Sequence, residues 1–283
     1  MINSICVCGA GIMGSGIAQC AAQHGFYALL FDVNEAALEK ARTGIEQSLQ
    51  TLADKQKITP EQQRATLSSL KFVSDINECM ADVVIEAIVE RTGAKVALFN
   101  QLAEVNHGET IFASNTSSLS IAEIARQVVQ PERVAGMHFF NPATIMKLVE
   151  VVQAPQTHTR VTETLVQLAK DMGKTPVVCT DTPGFIVNRV ARHYYLEALR
   201  IKEQHPEIPF SDLDNALEAA GFKMGPFRLM DLIGNDINYA VTESLYESFN
   251  RAERFTPSPI QQQKVQLGEL GRKSGKGYYD YSK

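Results

Sequence analysis

A histidine and a glutamate stand twelve residues apart in this chain, a spacing that suits a general base and the group that orients it. Strands over 133–139 and 147–153 that pair as neighbours would place His138 opposite Glu150. The carboxylate could then hold and polarise the imidazole. A plainer alternative is that His138 is a hydrogen-bonded core residue and Glu150 a solvated strand residue.

A glycine-rich turn near the start of the chain predicts a dinucleotide site. Apolar residues alternate over 3–8, the sequence GAGIMG follows, and a helical pattern covers 17–24. In such a unit Gly9 permits the tight turn, Gly11 lets the backbone approach a pyrophosphate, and Gly14 lets the helix pack on the strand. The helix N-terminus then supplies an anion site.

An acidic residue follows the second predicted strand, 27–31, about twenty residues beyond the first glycine. Asp32 at this position would accept hydrogen bonds from both ribose hydroxyls of NAD and would repel the 2'-phosphate of NADP. We therefore predict NAD as the cofactor, and we predict no metal ligands.

Strands and helices alternate through the first part of the chain, which predicts a Rossmann-type, doubly wound α/β sheet. Further strands are expected over 70–74, 82–88 and 110–114. Ligands bind outside the carboxyl ends of such strands, where Glu90, the run 115–118 and His138 fall. The polar run could instead cap a helix beginning near Leu119, with Ser118 as its N-cap.

The segment between the second and third predicted strands is long enough for a helical hairpin. Apolar residues recur at helical spacing at Leu38, Ala41, Ile45, Leu49 and Leu52. Ser48 and Lys55 lie two turns apart on one face of the first helix, where nearby positive charges could help them to bind phosphate. A charged helix face is more often simply solvated.

The strand pattern ends near a Pro-Gly pair at 183–184, and the remaining residues are predicted to form helices. We predict a Rossmann-type NAD-binding domain with the helical hairpin insertion over 1–182 and an all-helical C-terminal domain over 183–283. Amphipathic segments are expected over 210–220 and 226–249. Their surplus apolar surface suggests a homodimer formed through the C-terminal helices.

Composition narrows the classes of function. The 283 residues are 45% hydrophobic and 21% charged, which is ordinary for a globular protein. A net charge of -5 argues against a general nucleic-acid binder. The five cysteines are scattered, which suits reduced thiols inside the cell. With neither a targeting segment nor a transmembrane run recognised, a cytoplasmic protein without a membrane partner is expected.

Several motifs occur along the chain, namely GAGIMGSGIAQ, SNTSSL, HFFNP, KLVEV, DTPGFIVNR, MGPF and GRKSGKGYYDY. Together they resemble one family, the L-3-hydroxyacyl-CoA dehydrogenases, most closely their single-function 3-hydroxybutyryl-CoA type. The resemblance implies NAD-dependent oxidation of an (S)-3-hydroxyacyl-CoA, of short chain such as 3-hydroxybutyryl-CoA, to the 3-oxoacyl-CoA. The reverse reaction is implied too, as are roles in fatty acid and butanoate metabolism.

The resemblance also implies roles for particular residues. His138 and Glu150 would be catalytic, Ser117 and Asn188 would contact the acyl-CoA substrate, and Ser48 and Lys55 would contact its coenzyme A part. Contacts with NAD would come from Asp32, Glu90, Lys95, Asn141 and Lys273. Since Asn188 belongs to the helical domain, that domain would close on the substrate.

Two alternatives are a dehydrogenase of the hydroxyisobutyrate or phosphogluconate type and a non-catalytic NAD-binding protein. The first type uses a lysine at the reacting centre, whereas this chain offers a histidine and a glutamate. The non-catalytic alternative is considered because the resemblance extends to a lens crystallin recruited from the family. The presence of Ser117, His138, Glu150 and Asn188 together favours an enzyme.

Overall fold

The computed structural model describes residues 2–282, which divide into two compact units between Thr182 and Pro183. The strands are β1 (Ser4–Cys8), β2 (Tyr27–Phe31), β3 (Leu70–Val73), β4 (Val83–Glu86), β5 (Ile111–Ser114), β6 (Val134–Phe139), β7 (Leu148–Gln153) and β8 (Thr175–Thr180). The helices of the first unit are α1 (Ile12–Gln23), α2 (Glu35–Asp54), α3 (Pro60–Ser68), α4 (Thr92–Val105), α5 (Ile121–Ala125) and α6 (Thr159–Asp171). Those of the second are α7 (Val187–Gln204), α8 (Phe210–Ala219), α9 (Pro226–Ile233), α10 (Asn235–Ser248) and α11 (Pro259–Gln266). Short 3-10 turns cover Ile76–Glu78, Pro131–Arg133, Glu253–Phe255 and Arg272–Ser274.

Within the described residues, none of these helices is both long and apolar enough to span a bilayer.

The first unit is built on one sheet with the strand order β3-β2-β1-β4-β5-β6-β7-β8. Neighbouring strands are parallel except β6 and β7, which are antiparallel. The order reverses between β1 and β4, and in sheets of this kind the ligand crevice lies at that point, beyond the carboxyl ends of the strands. The predicted Rossmann-type fold, with helices after it, is confirmed.

Apolar spacing explains how the helices cover the sheet. On α2 the residues Leu38, Ala41, Ile45 and Leu49 are buried against the core of the sheet, as their spacing predicts. Asn34 caps the start of α2 by accepting from the N–H groups of Ala36 and Ala37. A capping box between Thr59 and Gln62 begins α3. The predicted helical hairpin between the second and third strands is therefore confirmed.

The helix after the polar run begins two residues later than predicted. Ser120, not Ser118, is the N-cap of α5, and its hydroxyl accepts from the N–H of Glu123. Asp181 fixes this start, because its carboxylate accepts from the N–H groups of Ile121 and Ala122 at 3.0 and 2.7 Å. The capping role predicted for Ser118 was therefore wrong.

The second unit is a helical assembly with its own core, as the sequence predicts. Aromatic and aliphatic side chains of α7 and α9 are buried together with Tyr278. The segment 226–249 is two helices rather than one. Gly234 separates them with a φ of 105°, a conformation that a glycine adopts without steric penalty.

Two buried carboxylates organise this helical unit. Asp214 accepts from the N–H groups of Phe227 and Arg228 at the start of α9 and from the hydroxyl of Tyr279. Asp231 accepts from the N–H groups of Tyr278 and Tyr279, each at 3.0 Å. The GYYDY segment is thereby fixed against α8 and α9.

Candidate active site

His138 and Glu150 form a buried pair on the antiparallel strands β6 and β7. They are direct partners in the strand register, and the His138 Nδ1 atom lies 2.8 Å from the Glu150 Oε2 atom. The histidine is 7% exposed and the glutamate 1%. The predicted pairing is confirmed, and the alternative of a solvated Glu150 is excluded by its burial.

The pair fixes the tautomer of the imidazole. A carboxylate only accepts hydrogen bonds, so Nδ1 must carry a proton and Nε2 is the basic nitrogen of the neutral ring. Burial raises the pKa of the nearby Cys179 thiol to about 12, with the charges of Glu150 and Asp181 adding to the effect, so this thiol stays protonated and uncharged beside the pair. The arrangement can accept a proton at Nε2 and stabilise the resulting imidazolium.

The glycine turn has the geometry that a dinucleotide needs. Gly9 adopts a φ of 106°, and a Cβ on Gly14 would lie 1.8 Å from the Gly9 carbonyl oxygen. Gly11 differs, because apart from atoms of Gly11 itself and its chain neighbours no described heavy atom lies within 4 Å of the position its Cβ would take. This open space next to the start of α1 is where a pyrophosphate can approach the backbone. These residues therefore fit NAD.

Asp32 follows β2 and bridges to the glycine turn. Its Oδ2 atom accepts from the N–H of Ala10 at 2.8 Å, and its Oδ1 atom accepts from the N–H of Asn34 at 2.9 Å. Each carboxylate oxygen can accept more than one hydrogen bond, so the ribose hydroxyls still have acceptors. Asp32 is thus held at the position that the NAD pattern requires.

A buried charge cluster lies at the carboxyl ends of β4 and β5. The ammonium of Lys95 is 2.6 Å from Glu86 Oε1 and 3.1 Å from Glu90 Oε2. Ser114 donates to the other oxygen of Glu86 at 2.7 Å. Because Lys95 is 1% exposed, little of its surface can reach a ligand. Lys95 is a partner that holds Glu90, and its contact with NAD stays a prediction.

Glu90 organises the polar run after β5. Its Oε1 atom accepts from the hydroxyls of Thr116 and Ser118 and from the N–H of Ser117, the last at 3.1 Å. Burial alone would raise the pKa of Glu90, but the Lys95 charge and the hydrogen bonds from Thr116 and Ser118 lower it. Glu90 is therefore an ionised anchor for the loop that carries Ser117.

The remaining predicted residues of the first unit lie in two places. Ser48 is on α2, where its hydroxyl accepts from the side chain of Gln19 at 3.1 Å, and Lys55 is the exposed C-cap of the same helix. Asn141 is exposed in the connection between β6 and β7. Its neighbour Phe139 donates its N–H to the side chain of Asn115 at 2.8 Å. The ligand contacts of Ser48, Lys55 and Asn141 stay predictions.

Two predicted residues belong to the second unit. Asn188 lies in the first turn of α7. Lys273 pairs with Asp236 at 2.6 Å, both within the helical unit. Their contacts with substrate and cofactor also stay predictions.

Sequence reasoning missed Glu86 and Asp181. Glu86 is the last residue of β4, whereas the predicted strand ran on to residue 88. With the correct strand end, Glu86 would have been predicted as a site residue, because polar residues at the carboxyl ends of strands face the ligand crevice. Nothing in the local sequence marks Asp181, since the helix that it caps begins sixty residues earlier.

The glycine turn, the acid after β2 and the buried His138–Glu150 pair define a dinucleotide-binding protein with a hydrogen-bonded histidine and carboxylate on its sheet. Two family models match the chain. The 3-hydroxyacyl-CoA dehydrogenase NAD binding domain matches residues 4–182, and the C-terminal domain of the same family matches residues 184–281. The chain belongs to the 3-hydroxyacyl-CoA dehydrogenase family, and NAD is the cofactor of its first unit.

Individual relatives agree with this assignment. The chain is 50% identical over 282 residues to the 3-hydroxyadipyl-CoA dehydrogenase of Escherichia coli, which covers 99% of this chain and 59% of that protein. It is 42% identical to the mitochondrial hydroxyacyl-coenzyme A dehydrogenase of Rattus norvegicus, covering 99% of this chain and 92% of the relative. The crystal structure of (S)-3-hydroxybutyryl-CoA dehydrogenase from Ralstonia eutropha superposes with a TM-score of 0.95 at 34% identity, covering both chains fully. This chain thus spans about three fifths of the E. coli relative and nearly all of the others.

Proposed function

We propose that this protein catalyses the NAD-dependent oxidation of an (S)-3-hydroxyacyl-CoA to the 3-oxoacyl-CoA, and the reverse reduction. The observation that carries the proposal is the buried 2.8 Å pair of His138 and Glu150 on one hairpin of an NAD-binding sheet. Membership of the family and the names of its relatives support the choice of substrate.

In the oxidative direction, Nε2 of neutral His138 takes the proton of the 3-hydroxyl. Glu150 keeps Nδ1 protonated throughout and stabilises the imidazolium that forms. Bound NAD supplies the acceptor for the hydride that leaves C3. In reduction His138 returns its proton to the 3-oxygen. Ser117, and Asn188 by the family resemblance, are proposed to donate to the substrate's oxygens, where negative charge grows.

The groups that would hold the cofactor are largely preformed. Gly11 and the start of α1 would receive the pyrophosphate, and Asp32 the adenosine ribose. Glu90 would act near the nicotinamide end with Lys95 behind it, and Asn141 and Lys273 are further proposed contacts. Ser48 and Lys55 are proposed to contact the coenzyme A part of the substrate.

Reduction of acetoacetyl-CoA, followed by the loss of NADH absorbance, tests the proposed activity. We expect turnover with acetoacetyl-CoA and none with the semialdehyde product of a hydroxyisobutyrate-type enzyme. Turnover of the semialdehyde instead would favour that type of dehydrogenase. NADH binding without turnover of either substrate would favour a crystallin-like role.

Replacing His138 with Gln tests the proposed base. We expect kcat to fall by about 10² to 10⁴, because the glutamine cannot accept the proton, while the NADH dissociation constant stays nearly unchanged. His205→Gln, at an exposed histidine of the helical unit, is the matched control. A His138→Gln variant with turnover within a few-fold of the parent would exclude His138 as the base.

We also propose a short acyl chain, such as butyryl. A second candidate is a carboxylated chain, because the 50% identical relative is named a 3-hydroxyadipyl-CoA dehydrogenase. A ladder of 3-hydroxyacyl-CoA substrates from butyryl to longer chains, with 3-hydroxyadipyl-CoA included, decides between them by kcat/KM. A maximum at the adipyl substrate would replace the butyryl proposal.

A further inference from the structure

The connection between β6 and β7, residues 140–147, joins the strand of His138 to the strand of Glu150. It also carries Asn141, a proposed cofactor contact. The connection has no regular secondary structure, yet Ala143 within it is only 2% exposed. Two backbone hydrogen bonds within it, from the N–H groups of Ile145 and Met146 to the Pro142 carbonyl, shape the turn, and side chains from other elements add further contacts that hold it in place.

Lys174 is one group that fixes it. This lysine lies between α6 and β8 and is 9% exposed. Its ammonium donates to the carbonyl oxygen of Ala143 at 2.6 Å and to that of Met146 at 3.0 Å. Across residues 2–282 no carboxylate forms an ion pair with Lys174. Two hydrogen bonds of this ammonium go to carbonyl groups of the connection, so moving the connection would leave donors of a buried cation unsatisfied.

Gly16 provides a second contact with the connection. A Cβ atom built on Gly16 would lie 3.2 Å from the Ala143 Cβ and 3.7 Å from the Ala143 nitrogen. Gly16 is on α1, the helix that begins directly after the glycine turn. The connection thus contacts both the cofactor helix and the buried ammonium of Lys174.

We propose that Lys174 is a positioning residue, which clamps the β6–β7 connection against α1 so that the connection can contact the bound cofactor. The inference rests on the proposed cofactor contact of Asn141, and it assigns no chemistry to Lys174 itself. A purely structural lysine would change stability alone. A positioning lysine changes NADH binding in protein that remains folded.

Lys174→Met, which keeps the chain length and removes the donors, is the first test. We expect the NADH dissociation constant, measured by fluorescence titration without substrate, to rise about tenfold. The pH profile of kcat should keep its shape, because the His138–Glu150 bond joins two strands that Lys174 does not touch. Lys170→Met, at an exposed lysine on α6, is the matched control. A folded Lys174→Met variant that binds NADH within twofold of the parent would overturn the proposal.

Gly16→Ala changes the contact between α1 and Ala143 from the side of the helix. It tests the proposal independently if Lys174→Met does not fold. Alanine favours a helix over glycine, so the fold should tolerate it, while the added methyl presses on Ala143. We expect weaker NADH binding, and we expect Ala143→Gly in the same chain to restore it. Gly16→Ala with unchanged NADH binding, or failure of the second substitution to restore it, would contradict the clamp.

These binding measurements do not depend on the proposed reaction. A parent protein that failed to reduce acetoacetyl-CoA would end the proposed function, whereas the NADH titrations would still decide the role of Lys174. Asn141→Ala completes the set, since weaker NADH binding in that variant supports the contact through which the clamp acts, and unchanged binding removes it.

Discussion

Asp32 is held by two backbone N–H groups, so its carboxylate is fixed before any ribose arrives. Val33 beside it is 81% exposed, which leaves room for a longer side chain. We expect the double substitution Asp32→Ser and Val33→Arg to move the kcat/KM ratio toward NADPH by about tenfold to a hundredfold, because an arginine can pair with the 2'-phosphate.

Steady-state rates with NADH and NADPH provide the measurement. Val33→Arg alone is the control, since Asp32 would still repel the phosphate. An unchanged ratio in the double variant would mean that Asp32 does not contact the ribose.

We expect the ionisation of Glu90 to make the free energy of unfolding depend on pH. Burial opposes ionisation, yet the Lys95 charge and the hydrogen bonds from Thr116 and Ser118 lower the pKa of Glu90 below its ordinary 4.5. The unfolded state then binds the proton more readily, so Glu90 stabilises the fold above about pH 4.5. This contribution is lost as the pH falls through the lower folded-state value.

Melting temperatures measured from neutral pH down through pH 4 test this expectation. Glu90→Gln should lose less stability than the parent over that acidic range, because it has no carboxylate to protonate there. Glu46→Gln, at an exposed position on α2, should follow the parent curve. Curves for Glu90→Gln and the parent that stay parallel would contradict the assignment.

In the unit of β1, the glycine turn and α1, one glycine is needed for folding and another for NADH binding. A Cβ on Gly14 would clash with the Gly9 carbonyl oxygen, whereas a Cβ on Gly11 would lie in open space. We expect Gly11→Ala to keep the free energy of unfolding within about 0.5 kcal/mol while weakening NADH binding at least about tenfold. Gly14→Ala should instead cost about 3 kcal/mol or prevent folding, because the helix can no longer approach the strand.

Urea denaturation and NADH titration of the two variants make the comparison. Gly14→Ala serves as the structural counterpart for Gly11→Ala. Parent-like NADH affinity in Gly11→Ala would show that the pyrophosphate does not approach the backbone there.

The sequence predicted elements well where local pattern decides them. The register of β6 and β7 puts Met137 and Phe139, with Val149 and Val151, on the face that packs in the main core. A slip of one strand by one residue would move its pair to the opposite face, where His138 and Glu150 lie. The start of α5 was mispredicted because Ser118 and Ser120 are equally good caps locally. Asp181, distant in sequence, selects Ser120.

The local sequence pattern could not predict which charged side chains are buried. Lys95 lies on a helix whose sequence gives no sign that its ammonium is enclosed, since enclosure depends on Glu86 from a strand and Glu90 from a loop. The same holds for Lys174, whose acceptors are carbonyl groups that any sequence possesses. Only tertiary structure brings such partners together.

At the scale of the whole molecule, we propose a homodimer formed through the C-terminal helices. Large apolar side chains of that unit are exposed, among them Ile237 at 52% and Leu267 at 63%. Exposed apolar surface of this kind commonly marks an interface. Light scattering after size-exclusion chromatography should therefore give twice the mass of one chain.

Ile237→Asp and Leu267→Asp should each shift that equilibrium toward the monomer, because an interface that buries the new charge would be destabilised. Val129→Asp, at a residue of the first unit that is 68% exposed, is the control. A parent protein with the mass of one chain over the whole concentration range would exclude the dimer.

The reversal of direction between β6 and β7 has a consequence for how this enzyme could move. Antiparallel neighbours can be joined by a short link, so the histidine and the carboxylate share one hairpin instead of coming from remote parts of the chain. A hinge or loop rearrangement elsewhere can change which ligand enters the crevice and at what stage. The tautomer of the His138 ring would be preserved in each such rearrangement, because its Nδ1 atom and the Glu150 carboxylate belong to directly paired residues of neighbouring strands.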